Sequence, residues 1–210
     1  MVIGLFLYAC GIVVTLKANI GYAPWEVFHA GLSGKIGLSF GLTSIFVGFI
    51  IIVITAFLGE KIGLGTISNM ILIGLFIDAI LFINIIPVSG NLMIGIIMLV
   101  TGLFIVSIGT YFYIKSAFGA GPRDGLMIAF TRKTKIPVGI CRSIIELLAT
   151  FAGWRLGGMA GIGTVISVVS VGFCIQITFK ILRFDVAAIR HESLFDTFAC
   201  LSGKKNGETP

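Results

Sequence analysis

"LGEKIGLGT", residues 58–66, returns in outline as "LGGMAGIGT" at residues 156–164, with Leu58, Gly59, Gly63, Gly65 and Thr66 recurring as Leu156, Gly157, Gly161, Gly163 and Thr164. The spacing is 98 residues (156 − 58), and the same register extends outward in both directions. Gly4, Leu5 and Phe6 meet Gly102, Leu103 and Phe104; Gly11 meets Gly109, Lys17 meets Lys115, Gly41 meets Gly139 and Gly74 meets Gly172. Two proline stretches also superimpose, "GYAPWEVFH" at residues 21–29 and "GAGPRDG" at residues 119–125, so that Gly21 falls on Gly119, Pro24 on Pro122 and Glu26 on Asp124. One ungapped register over this length reads as an internal duplication.

The chain has 210 residues, 57% of them hydrophobic and only 11% charged, where a soluble domain carries about 25%. A helix crossing a bilayer needs about 20 mostly apolar residues. Six runs approach that, at 1–16, 38–58, 66–86, 92–114, 137–156 and 164–182. The fifth contains Arg142 and Glu146, and the third contains Asp78. The first has neither a basic leader nor a small-residue cleavage site, so it is expected to stay as a membrane helix. Its repeat counterpart starts near Leu92, further upstream in register, which predicts missing residues, some of them basic, ahead of Met1.

Three spans per unit is an odd number, so two tandem units enter the membrane from opposite sides. The expected fold is an all-α membrane protein of about six transmembrane helices, built as two inverted three-helix repeats with broken or re-entrant proline segments. The repeats occupy residues 1–90 and 91–182, and residues 183–210 form a cytoplasmic tail. Short cytoplasmic loops collect Lys and Arg. One side would hold Lys61, Lys115, Arg123, Arg132, Lys133, Lys135, Lys180, Arg183, Arg190, Lys204 and Lys205, and the other only Lys17, Lys35 and Arg155. Both termini are therefore expected in the cytoplasm, with the Pro24 motif outside and the Pro122 motif inside. That distribution accounts for the net charge of +6 without a nucleic-acid partner.

Gly65 and Gly163 suit tight turns or close helix packing, and Thr66 and Thr164 suit N-caps. Pro24 and Pro122 each break one helix and start another. Glu26 and Asp124 would then lie in first turns, which favour acids, and Trp25 fits an interfacial belt. Helices broken at corresponding points of two inverted halves also mark the central site of a transporter. On that reading Trp25, Glu26, His29, Arg123 and Asp124 line the path. Arg142 and Glu146 stand four apart and can pair; alternatively Arg142 holds an anionic group while Glu146 and Asp78 couple a proton or cation. Asp78 falls on Gln176, a polar residue at matching depth. Cys10, Cys141, Cys174 and Cys200 have no zinc spacing, and no metal or cofactor is expected.

The stretches "GYAPWEVFHAGLS", "GEKIGLGTISN", "GAGPRDGLM", "RSIIELL" and "GWRLGGMAGIGT" resemble the bacterial YczE/YyaS/YitT family of integral membrane proteins, up to about Leu182. The resemblance implies a multi-pass protein of the bacterial cytoplasmic membrane and brings no settled activity. Members usually begin with a basic stretch, absent here, and the tail after Arg183 departs from the pattern. A transporter or channel for a small polar solute is the expected function, with the bilayer as its other partner. Alternatives are a membrane scaffold or regulatory partner without transport, and an enzyme acting on a lipid-linked substrate. The aspartate pairs that would hold metal against a diphosphate are missing, so no enzyme is expected. The sequence leaves the oligomeric state open, a homo-oligomer included.

Overall fold

The computed structural model describes residues 1–60, 62–119 and 121–184. Lys61, Arg190, Lys204, Lys205, Cys200 and nearly all of the expected tail lie outside the described residues. Those described form eight helices and no strand: α1 Val2–Lys17, α2 Pro24–Ile36, α3 Phe40–Phe57, α4 Leu64–Ile83, α5 Leu92–Lys115, α6 Pro122–Thr134, α7 Val138–Arg155 and α8 Ile162–Ile181.

The backbone keeps the 98-residue register. Adding 98 to the bounds of α2, α3 and α4 gives the bounds of α6, α7 and α8 (24 + 98 = 122, 57 + 98 = 155, 83 + 98 = 181), and α1 and α5 end one period apart. Left-handed residues recur in the same register, Asn19 with Ala117, Gly21 with Gly119, Gly37 with Lys135 and Gly59 with Gly157. The packing repeats too: α1 crosses α5, α2 lies on α7 as α6 lies on α3, and α1 touches α4 as α5 touches α8.

The α1–α5 crossing is made of small residues. A Cβ on Gly11 would fall 2.7 Å from the Gly102 carbonyl oxygen, and one on Gly102 would fall 2.6 Å from Thr15 Cγ2 and 2.9 Å from the Gly11 carbonyl oxygen. Helices in lipid associate by such close backbone approach, because apolar tails give no hydrophobic drive between them. Gly102→Val is therefore expected to cost roughly 1–3 kcal/mol through overpacking, read as a lower melting temperature in detergent. Gly34→Ala, on a glycine with open space around it, should not lower it.

Around this crossing the outward surface is apolar to an extent that water would not tolerate. Phe57 is 86% exposed and Phe82 91%. Four helices are long and apolar enough to cross a membrane, α3, α4, residues 92–114 of α5, and α8. Of the two other long helices, α1 is apolar but has 16 residues, and α7 carries Arg142, Glu146 and Arg155.

The helix ends sort into two groups. Lys17 Nζ donates to Asn84 Oδ1 at 2.6 Å, and Ser89 N donates to the Lys17 carbonyl, gathering the ends of α1 and α4 with the start of α5. Arg132, late in α6, donates to the Leu58 carbonyl at 2.9 Å and pairs with Glu60 at 3.2 Å, which sets it beside the α3–α4 turn. Each proline-bearing link docks on the other repeat's glycine turn. Gly65 N donates to the Phe118 carbonyl and Gly163 N to the Ile20 carbonyl, both at 2.7 Å and one period apart.

Those two bonds decide what the glycines do. Gly59 and Gly157 make the left-handed turns, with φ of 84° and 100°, whereas Gly65 and Gly163 let another backbone approach. A Cβ at Gly163 would lie 2.9 Å from Ile20 Cγ1. The threonines also differ from expectation. The N-caps are Gly63 and Gly161, while Thr66 and Thr164 are third in their helices and accept hydrogen bonds from the cap N–H groups at 3.3 and 3.1 Å. That is the back-bonding half of a capping box; at Gly161 a Cβ would fall 2.7 Å from the Ile20 carbonyl oxygen, so the link admits only glycine at that cap.

Candidate functional site

Two helix starts meet at the centre of the fold. Pro24 and Pro122 occupy the first turns of α2 and α6, after Ala23 and Gly121 in extended conformation. Proline is suited there because first-turn N–H groups have no helical acceptor. Glu26 and Asp124 fall in the same turns, where the helix dipole favours acids.

The sequence assigns these motifs to opposite membrane faces, yet their side chains touch. Arg123 Nη1 lies 3.2 Å from Glu26 Oε1, and the guanidinium carbon sits 5.1 Å from the centre of the Trp25 ring, within cation–π range. The two short helices point away from this contact, α2 along α7 and α6 along α3. Glu26 is 6% exposed and His29 2%. The His29 Nδ1 faces Arg123 Nη2 at 3.5 Å. A guanidinium only donates, so in the neutral ring Nδ1 is the acceptor and the proton sits on Nε2. His29 Nε2 is buried with no partner among the described residues.

This contact forms part of a cavity of about 190 Å³, room for roughly a dozen waters at 10–15 Å³ of probe volume each. All its described lining residues except Met70, Leu103, Ile145 and Ile175 fall into pairs one period apart, among them Trp25 with Arg123, Glu26 with Asp124, His29 with Met127, Gly48 with Glu146 and Asn69 with Ser167. Positions 98 residues apart therefore line one space, with different side chains.

Arg142 and Glu146 also line it. They pair as their spacing predicts, but only Arg142 Nε takes part, at 2.8 Å from Glu146 Oε1. In each of the two pairs the acid is the more enclosed: side-chain exposure is 29% for Arg123 against 7% for Glu26, and 42% for Arg142 against 16% for Glu146.

Asp78 is not part of this lining. Its carboxylate accepts from Ser39 Oγ, from Gly41 N at 2.7 Å and from Leu42 N at 3.2 Å. It caps the start of α3 and ties α3 to α4, a job the sequence could not show because the partners lie 36 to 39 residues away.

Other cavity residues escaped the sequence reading. Tyr8 and Tyr113 line it, and the Tyr113 hydroxyl donates to the Gly119 carbonyl at 2.8 Å, bracing the second link. Asn69 and Ser167 could have been found, since two polar residues one period apart in apolar helices are the signal that singled out Asp78 and Gln176. The Ser167 hydroxyl is 1% exposed as a residue and has no partner among the described residues. No group of three His, Cys, Asp or Glu among the described residues is placed to hold a metal ion.

Comparison with known proteins adds a relationship without an activity. Residues 1–180 match the description "Family of unknown function (DUF6198)". The chain is 34% identical over 190 residues to "Uncharacterized membrane protein YczE" of Bacillus subtilis (strain 168), covering 88% of this chain and 87% of that one. It is 29% identical over 185 residues to an "Uncharacterized protein" of Haemophilus influenzae, covering 86% and 84% of the two chains. Identity to "Uncharacterized protein YyaS" of Bacillus subtilis is also 29% over 185 residues, covering 86% and 91%. No solved structure matches.

Proposed function

The chain belongs to the family described as DUF6198 and is a multi-pass membrane protein, and we propose that it carries a small polar solute across the bacterial cytoplasmic membrane by alternating access between two inverted repeats. In this reading α1, α3, α4, α5, α7 and α8 cross the bilayer, α2 and α6 each enter from the centre, and both termini face the cytoplasm.

One observation carries the proposal: two equivalent gaps in the fold stand in opposite states. Between α3 and α4, Gly41 lies so close to Gly74 that a Cβ on it would collide with the Gly74 carbonyl oxygen and the Asp78 carboxylate. Between α7 and α8, a Cβ on the equivalent Gly139 or Gly172 would meet nothing within 4 Å. Equal sequence positions in unequal conformations are what a two-state carrier built from inverted repeats requires, each state being the image of the other. The side closed here is the one where Asp78 ties the helices. Its counterpart has Pro137 and Gln176 in place of Ser39 and Asp78, so a different contact must close it.

The lining supports the same reading. Ionisable groups inside a bilayer are costly and face cavities or partners; here Glu26, Arg123, Arg142 and Glu146 do both. No residue is assigned to catalysis.

Flux in proteoliposomes tests the proposal. Purified full-length protein should take up a labelled small polar solute faster than protein-free vesicles, with saturation. Saturable flux absent across amino acids, sugars, nucleosides, carboxylates and ions would leave the scaffold reading in its place.

A further inference from the structure

We propose that the solute is a small monovalent carboxylate, held by the free fork of Arg142 together with His29 and Ser167. This rests on the reading of the central cavity as a solute site, and it follows from sorting the polar groups there into those already used and those left over.

One oxygen of each paired acid is used. Glu26 takes Arg123 and Glu146 takes the Nε of Arg142. Three groups able to donate stand without such a partner. Both terminal nitrogens of Arg142 make no hydrogen bond among the described residues, and they form the planar fork that matches a carboxylate in two parallel bonds. His29 Nε2 and Ser167 Oγ are buried without a partner. Buried donors left bare are destabilising, so a resting site of this composition calls for water or a solute rich in acceptor oxygens. An ammonium group would leave the guanidinium fork and the imidazole N–H without an acceptor.

Size and charge narrow the class. The cavity of about 190 Å³ is of a size for a small solute. Two guanidiniums and three carboxylates line it, so a phosphate carrying about −1.5 to −2 charges would face more repulsion than a single carboxylate does. A planar anion with one charge fits the fork, and among anions it adds least to the acidic excess of the lining.

Binding is measured on full-length protein in detergent by thermal shift and calorimetry, with acetate, pyruvate and lactate as probes and inorganic phosphate and methylammonium as contrasts. At least one carboxylate should raise the melting temperature in a saturable way while methylammonium does not. Arg142→Gln should weaken that response roughly ten- to a hundredfold, the worth of a charged hydrogen-bonded contact. Arg142→Lys, which keeps the charge and loses the fork, should weaken it as well, and Gly34→Ala should leave it unchanged. Stabilisation by phosphate or methylammonium alone, by none of the probes, or to the same degree in Arg142→Gln overturns the assignment. Carboxylate binding without flux would sink transport and leave this site standing. Flux of a solute that Arg142→Gln carries undiminished would do the reverse.

Discussion

Gly41→Ala and Gly139→Ala are expected to stop solute flux to a similar degree while leaving the cavity open at opposite ends. At Gly41 the added methyl has no room, because the Gly74 carbonyl and the Asp78 carboxylate occupy its place. Overpacking of this kind costs roughly 1–3 kcal/mol, a shift of roughly 5- to 150-fold between two states. That end would stay open. At Gly139 the methyl meets nothing in the present conformation, so the variant should fold as well as the parent. It would obstruct the image state, in which α7 and α8 close on each other as α3 and α4 do here. Accessibility of single cysteines checks the sign: one placed on α3 near the cap should gain labelling in Gly41→Ala, and one on α7 near Gly139 should keep it in Gly139→Ala. If both variants carry solute at the parent rate, the two gaps do not alternate.

Breaking the pair at the centre should cost more than breaking either other ion pair among the described residues. Glu26→Ala leaves Arg123 without its carboxylate next to a Trp ring and a buried histidine. Removing one partner of a buried pair costs about 3–5 kcal/mol, and the lower end applies because Arg123 keeps 29% of its side-chain exposure. Loss of a first-turn acid alone would cost only about 0.3–1 kcal/mol, so the size of the effect identifies its cause. Reversing the pair, Glu26→Arg with Arg123→Glu, should recover most of the loss, short of what a cation in the first turn of α2 forfeits. A melting temperature in Glu26→Ala within a degree of the parent would show that the pair contributes nothing. The Arg132–Glu60 pair, whose arginine side chain is 55% exposed, belongs with surface bridges worth roughly 0–1 kcal/mol.

The helices were legible because their determinants are local. An apolar run sets each long helix, proline opens α2 and α6, and a residue in the left-handed region closes each of them, Gly37 and Lys135. The period announced that whatever one half forms, the other forms too. Charge and the broken helices single out Trp25, Glu26, His29, Arg123, Asp124, Arg142 and Glu146, and all of them line the cavity. Asp78 stands outside the cavity lining, and its acceptor role at the start of α3 depends on partners too distant in the chain for a local pattern to show. Thr66 and Thr164 stand three positions past the caps, and at Gly161 the docking link, not the threonine, selects the cap.

By itself, then, the sequence determined a membrane solvent, a duplicated set of helices and the stock of polar side chains available inside them. Tertiary structure decided which of those side chains meet. Arg123 and Glu26 are 97 residues apart, and nothing local to either stretch encodes the pairing; it arises because each link docks on the other repeat's turn. It also decided which of two equivalent gaps is shut. Repeated residues supply the same close-packing capacity to both gaps, but a single chain in one conformation closes one of them, and here the carboxylate of Asp78 and the hydroxyl of Ser39 lie at the closed one.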